Sequence, residues 1–325
     1  MYQNRQYCFI ELHLIHFINN VTIKHKDGQH KGRIYTGKGI FTMMNQENKI
    51  NITIPEDELW ENLKISNDFI FAKVMRNLEL CKGLLERLLD INIDHIEYPE
   101  EQKAIDIAKD SKSVRLDVYL KDGNGTVYNV EIQTTNNRNL PKRTRYYAGM
   151  IDLNAIEKGA DYSGLPQSFV IFICTFDAFG EDRWKYTFQN VCMEDKKLFL
   201  NDGTVKVFFN TTGTKGRINK DAKNILKFIE GSAAEDNFTG KLAQEVIKIK
   251  ENKEWQVEYM TLMMREREKY NEGRIEGRIE GRIEGVVSIY KEEMGLSFNE
   301  TVSRIAVKFN LPLYEAEENV KKYWI

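Results

Sequence analysis

Asp117, Glu131 and Gln133 are the residues whose types and spacing could carry chemistry in this chain of 325 residues. They lie on two alternating runs, Val114 to Lys121 and Thr126 to Gln133, joined around Asp122-Gly123-Asn124-Gly125. Three-residue hairpin loops with glycine at the left-handed position are common, and a loop of Gly123-Asn124-Gly125 pairs Asp122 with Thr126. In that register Asp117 stands opposite Glu131, and Arg115 opposite Gln133. Directly opposed residues share a face, with Cβ atoms about 4.5–5.5 Å apart. One face then carries Arg115, Asp117, Tyr119, Asn129, Glu131 and Gln133, and the other carries Leu116, Val118, Leu120, Tyr128, Val130 and Ile132. A four-residue loop would shift the register and send Glu131 to the other face.

Two carboxylates side by side repel unless something compensates. A divalent metal does so: Mg²⁺ takes oxygen ligands, typically one or two carboxylates with waters and substrate phosphate. It can also lower the pKa of a bound water and neutralise charge developing on a phosphate. The same pattern also describes the wet face of an amphipathic hairpin, with Arg115 relieving the two acids. Other chemistries lack their residues. Four of the five histidines (His13, His16, His25, His30) fall in the first 30 residues, and only His95 lies beyond. An HExxH zinc site or a Ser-His-Asp triad therefore cannot be assembled from the body of the chain. No Walker A or GxSxG string occurs either.

The elements that must position these residues can be read in outline. Asn67-Asp68 offers a helix cap, and Val74, Leu78, Cys81, Leu85 and Leu88 recur at helical spacing through a helix from Phe69 to Leu89. A short alternating stretch, Ile91 to Tyr98, precedes the hairpin, and Pro141 opens a helix to about Lys158. Ser168 to Phe176 reads as a buried strand and Val205 to Asn210 as another. From about Asn219 onward every sizeable segment reads as helix. The order predicts an α/β core with a helical tail. His95, beside strand-like Ile96, is expected to be structural.

At this level of detail the residues resemble a known family. Arg115-Leu116-Asp117-Val118-Tyr119, Val130-Glu131-Ile132-Gln133 and Lys142-Arg143-Thr144-Arg145-Tyr146-Tyr147 are similar to motifs of the recombination-promoting nuclease/putative transposase family. That family belongs to the PD-(D/E)XK nuclease superfamily. The resemblance runs from Asn67-Asp68-Phe69 through Phe169-Val170-Ile171-Phe172 and Asp202-Gly203-Thr204 to the Gly-Arg-Ile-Glu repeats. It implies a restriction-endonuclease-like αβββαβ core, a mixed sheet flanked by helices, and metal-dependent DNA endonuclease activity linked to recombination or mobile elements. By position it makes Asp117 and Glu131 metal ligands, with the Ile132 carbonyl as a third, for Mg²⁺ or for Mn²⁺ or Ca²⁺ as substitutes. Gln133 falls where the superfamily usually has a lysine that positions water and stabilises charge. A further acid often comes from the first helix, where Glu79 and Glu86 are the candidates, and solvated helix charges are the stronger reading of both. A neutral amide cannot provide the lysine's charge, which leaves room for a DNA-binding or assembly protein that keeps the fold without turnover.

Downstream of Gln133, Arg138, Lys142, Arg143 and Arg145 form a local basic patch with Tyr146 and Tyr147 adjoining. Arg143, Arg145 and Tyr147 are the expected DNA contacts, Arg143 and Tyr147 sharing one helix face. An ordinary charged helix start reads the same way. The patch must be local, because 47 basic against 49 acidic residues give a net charge of −2. No apolar run reaches membrane-span length, and the purest, Phe169 to Cys174, is six residues. Four scattered cysteines without a CxxC pair read as reduced thiols of a cytoplasmic protein.

Four segments are expected: a poorly ordered N-terminal extension over 1–55, with Met43-Met44 an alternative start, a nuclease domain over 56–235, a helical segment with repeats over 236–285, and a small helical hairpin over 286–325. The last opens with a capping box, Ser297 to Glu300, and turns at Asn310-Leu311-Pro312. Its second helix begins with acids, so packing or assembly suits it better than reading DNA. In 272–285 the string Glu-Gly-Arg-Ile recurs, and on a helix it sets glycines in one stripe, isoleucines nearly opposite, and arginines and glutamates along opposite edges. That arrangement suits self-association into a homo-oligomer; a length-tolerant linker is the alternative. Deleting residues 272–285 is expected to shrink the cross-linked species, and an unchanged oligomer size removes the self-association reading.

Overall fold

The computed structural model describes residues 40–45, 48–53, 55–97, 104–105, 114–115, 118–157 and 159–324. The chain divides into two compact units, Met1–Gln256 and Val257–Ile325. In the first, strands β1 (Ile40–Asn45) and β2 (Asn48–Thr53) form an antiparallel pair that the sequence reading did not anticipate.

The expected single helix after Asn67 is two. Helix α1 (Asp68–Val74) is capped by the Asn67 side chain, which accepts from the Ile70 N–H. Helix α2 (Leu78–Leu89) restarts at Asn77, whose side chain accepts from the Glu79 and Leu80 N–H groups. A side-chain oxygen at that position satisfies the open donors of a new helix. The period of apolar residues continues across the break, which is why it hid it.

Next come β3 (Ile96–Glu97), β4 (Ala104–Ile105), β5 (Val114–Arg115), β6 (Val118–Asp122) and β7 (Val127–Gln133). The β6–β7 register is the one expected from a three-residue loop: Val118 pairs with Val130, Tyr119 with Asn129, Leu120 with Tyr128 and Lys121 with Val127. The Asp122 N–H donates to the Thr126 carbonyl at 3.0 Å, and Gly125 sits at φ +81°, where a side chain would be strained. Asp122 also ties the loop internally, its carboxylate accepting from the Asn124 and Thr126 N–H groups and the Tyr128 hydroxyl.

Helix α3 (Leu140–Ala155), with Pro141 in its first turn, crosses from β7 to the parallel strand β8 (Ser168–Cys174). Strand β9 (Lys185–Phe188), not expected from sequence, precedes β10 (Thr204–Asn210), which runs parallel to β8 and antiparallel to β9. The six strands lie in the order β3-β6-β7-β8-β10-β9. Strands β7 and β8 are buried along nearly their whole length, as befits a sheet covered on both faces. On one face α3 packs Leu140, Tyr147, Ala148 and Ile151 against Tyr119, Val170, Phe172 and Phe208. Helices α1, α2, α4 (Lys220–Glu230) and α5 (Asn237–Glu251) pack with one another, α1 also contacting β7. This is a mixed sheet flanked by helices, the restriction-endonuclease-like arrangement that the resemblance implied.

Helix α6 (Lys253–Ser288) contains the repeats, and Gly273, Gly277, Gly281 and Gly285 have no atom within 4 Å of an added Cβ. Ile275 and Ile279 are exposed. Ile283 and Val287 pack instead with Val302, Ile305, Ala316 and Val320 of α7 (Phe298–Phe309) and α8 (Leu313–Tyr323). The Ser297–Glu300 capping box is formed, and Asn310 closes α7 at φ 52°. Among the described residues no helix is long and apolar enough to cross a membrane.

The return from β10 passes close to the chain entering β9. A Cβ on Gly213 would fall 2.7 Å from the Trp184 amide nitrogen and 2.8 Å from the Arg183 carbonyl oxygen. Backbone atoms cannot rotate aside, so Gly213→Ala is expected to lower unfolding stability by about 1–3 kcal/mol in a urea titration. An unchanged midpoint would show that the two segments are not in contact.

Candidate active site

Glu131 is a carboxylate buried in the described structure. Alternation along β7 turns Asn129, Glu131 and Gln133 to the face that α3 covers, while Val130 and Ile132 point the other way. The pattern permitted that face to be the wet side of a hairpin; the structure makes it interior. Asn129 is 0% and Glu131 2% exposed, whereas Gln133, at the strand's end, is half-buried. The physical reason is the β7–α3–β8 crossover, which lays α3 across the polar face, while β7 is also contacted by α1.

A buried carboxylate needs partners. The Arg143 guanidinium comes from α3 to lie 3.5 Å from Glu131, an ion-pair distance longer than a hydrogen bond. From the strand itself, Asn129 Nδ2 donates to Glu131 Oε1 at 3.3 Å. Arg143 also donates through Nη1 to Gln133 Oε1 and through Nη2 to the Tyr147 hydroxyl at 2.9 Å. Its guanidinium lies 5.4 Å from the ring centres of both Tyr147 and Phe172. Tyr147 stacks on Phe172, and Phe172 on Phe208, at 6.0 and 5.5 Å. One arginine thus joins an acid, an amide and a phenol over an aromatic floor. Behind it, Cys174 pairs with Gln133 across the strands, and burial pushes its thiol up to about 12, so it is not a nucleophile at neutral pH.

The expected site residues distribute unevenly. Glu131, Ile132 and Gln133 occupy consecutive positions of β7, with the Ile132 side chain buried on the opposite face. Asp117 lies outside the described residues. Of the three expected DNA contacts, Arg145 is exposed, together with Arg138 and Lys142. Tyr147 is 7% exposed and forms the wall of the site, and Arg143 is turned inward, so neither is a free surface group. The four-residue spacing that puts them on one face also puts that face against the sheet. Glu79 pairs with Lys241 of α5 at 2.8 Å, and Glu86 accepts from the Ile93 N–H at 3.0 Å; both tie α2 to its neighbours. His95 is exposed and hydrogen-bonded to Asp94, which raises its pKa.

Asn129 was placed on this face by the register, but its role was missed. Its Oδ1 is buried and has no hydrogen-bond partner among the described residues, an arrangement that is costly in an interior. Asn129 Oδ1, the Glu131 carboxylate and main-chain carbonyls are hard oxygen donors, which fit Mg²⁺, Mn²⁺ or Ca²⁺ and not a soft metal. Among the described residues no group of three His, Cys, Asp or Glu could hold a metal.

Residues 66–275, more than half of the chain, match the PD-(D/E)XK nuclease family transposase model, and the chain belongs to that family. Membership points to a nuclease or transposase-related role. No curated protein and no solved structure matches the chain.

Replacing Asn129 by Asp puts a second carboxylate where an amide now donates to Glu131. Asn129→Asp is expected to lower the melting temperature in EDTA, a cost of about 1–3 kcal/mol, with Mg²⁺ recovering much of the loss. A variant that melts like wild type with and without Mg²⁺ would show that the two side chains are not neighbours.

Proposed function

We propose that this protein is a cytoplasmic, Mg²⁺-dependent DNA endonuclease that hydrolyses phosphodiester bonds and serves recombination or mobile elements. The observation that carries the reading is Glu131, a buried carboxylate on the α3 face of β7 beside an Asn129 amide oxygen that has no hydrogen-bond partner among the described residues. Asp117 is assigned as its partner because it immediately precedes Val118, and Val118 pairs with Val130, the residue before Glu131. The Asp117 and Glu131 carboxylates and the Ile132 carbonyl would hold the cation. Bound there, a divalent ion supplies a more acidic water and neutralises charge on the phosphate. Mn²⁺ and Ca²⁺ have the same preference for oxygen and would occupy the same place.

The chain's own residues do the rest. Gln133 positions water or phosphate at the end of β7, next to the acid two residues back on its face. Arg138, Lys142 and Arg145 lie exposed around the start of α3 and can hold the DNA backbone, which gives affinity without sequence choice. The exposed Ile275 and Ile279 of the repeat helix support assembly into a homo-oligomer through the C-terminal helices.

One observation favours a second reading, a DNA-binding or assembly protein with the nuclease fold and no turnover: Gln133 is neutral. Cleavage of supercoiled plasmid separates the two. Wild type with Mg²⁺ is expected to nick the plasmid, EDTA to stop it, and Asp117→Ala to reduce it by about 100-fold or more. Intact plasmid alongside a retained mobility shift would favour the second reading, and equal cleavage by wild type and variant would place the centre elsewhere.

A further inference from the structure

Phosphodiester hydrolysis builds negative charge on the phosphoryl oxygens, and a site must meet it with donors and positive charge already in place. Gln133 alone supplies only the donors. In this structure it is not alone, because Arg143 Nη1 donates to its Oε1. A guanidinium has five N–H donors and no acceptor. A carboxamide held by it must present oxygen to the arginine and turn its nitrogen away. The usual ambiguity between the two ends of a glutamine is therefore removed by chemistry.

Arg143 is itself fixed. It is held by the Tyr147 hydroxyl at 2.9 Å, by Glu131 at 3.5 Å and by the rings of Tyr147 and Phe172, with 30% of its side chain exposed. We propose that Gln133 and Arg143 act together as the phosphate-facing cation of this site, a reading that rests on the nuclease assignment above. Gln133 Nε2 donates to a non-bridging oxygen of the scissile DNA phosphate. Arg143 stands behind the carboxamide, polarises it through the Oε1 hydrogen bond and contributes the charge. Gln133 is the group that touches substrate, and Arg143 is a positioning residue acting through it. Hydrogen bonds arranged in series strengthen one another.

Gln133 is on this view not a degraded lysine. Gln133→Lys alone sets an ammonium against the guanidinium, and like-charge repulsion drives the new side chain out of place. The same lysine becomes useful once Arg143 is neutral. Single-turnover cleavage of a short duplex with Mg²⁺, and duplex affinity with Ca²⁺ by fluorescence anisotropy, should be measured for wild type, Q133K, R143Q and the double variant. Each single variant is expected to cut about 100-fold more slowly with affinity nearly unchanged, and the double variant to recover about 10-fold or more over R143Q. A Q133K protein as fast as wild type, or a double variant no faster than R143Q, overturns the proposal. So does an R143Q protein whose whole defect is in affinity.

A second readout needs neither turnover nor a foldable variant at Arg143. The Gln133 side-chain NH₂ signals in ¹H–¹⁵N spectra, assigned by their loss in Gln133→Leu, are expected to move when duplex and Ca²⁺ are added to wild type. Signals that stay still overturn the inference whether or not the protein cuts. Signals that move in a wild type unable to cut support the contact and count against the nuclease assignment alone.

Discussion

A carboxylate buried in the middle of a sheet is the constraint around which the first unit is arranged. Ionised and unpaired, Glu131 would be far more costly than the fold could bear. It is kept by an arginine from the helix that covers it and by an amide two residues earlier on its own strand. Both partners exist only because β7 continues through α3 into a parallel β8. That crossover fixes α3 on the polar face, and the four-residue spacing of Arg143 and Tyr147 aims both inward. The aromatic stack of Tyr147, Phe172 and Phe208 then limits where the guanidinium can lie. The result is a polar group of five side chains, Asn129, Glu131, Gln133, Arg143 and Tyr147, of which Gln133 and Arg143 are partly exposed.

This arrangement sets a cation directly against the neutral Gln133, because Arg143 donates to its side-chain oxygen. Local charge is supplied from a neighbouring helix instead of the strand, so the strand position need only offer hydrogen bonds. The exposed cations Arg138, Lys142 and Arg145 lie on the loop and first turns leading into the same helix. One element therefore sets the interior arginine and presents the exterior ones, and a net charge of −2 for the chain is compatible with a locally basic mouth.

Much of this was legible before any coordinates. The β6–β7 register followed from the Gly123-Asn124-Gly125 loop and was correct to the residue, because glycine at a left-handed position leaves few alternatives. Of the expected polar set, Tyr119, Asn129, Glu131 and Gln133 do share the face that α3 covers, while Asp117 and the Arg115 side chain lie outside the described residues and Arg115 pairs with Ala104. The burial of that face was not decidable, since alternation records which residues share a face and not whether another element covers it. The inward turn of Tyr147 was hidden for the same reason. The break at Asn77 was missed because apolar spacing is blind to a cap that interrupts a helix without changing its phase. Strand β9 gave no warning, as its alternation is four residues long and lies between turns. The orphaned oxygen of Asn129 depends on side-chain geometry that no pattern of residue types encodes.

The central claim is that Glu131 and Asp117 face one another across the hairpin and share a hard cation. Isothermal titration of Mn²⁺ into metal-free wild type, Asp117→Asn and Glu131→Gln tests it without reference to DNA or turnover. The account predicts binding by wild type that is lost or greatly weakened in both variants, because either acid alone leaves too few charged oxygens. Binding retained in both would contradict it, and loss in Glu131→Gln alone would leave Glu131 in the site and remove Asp117 from it.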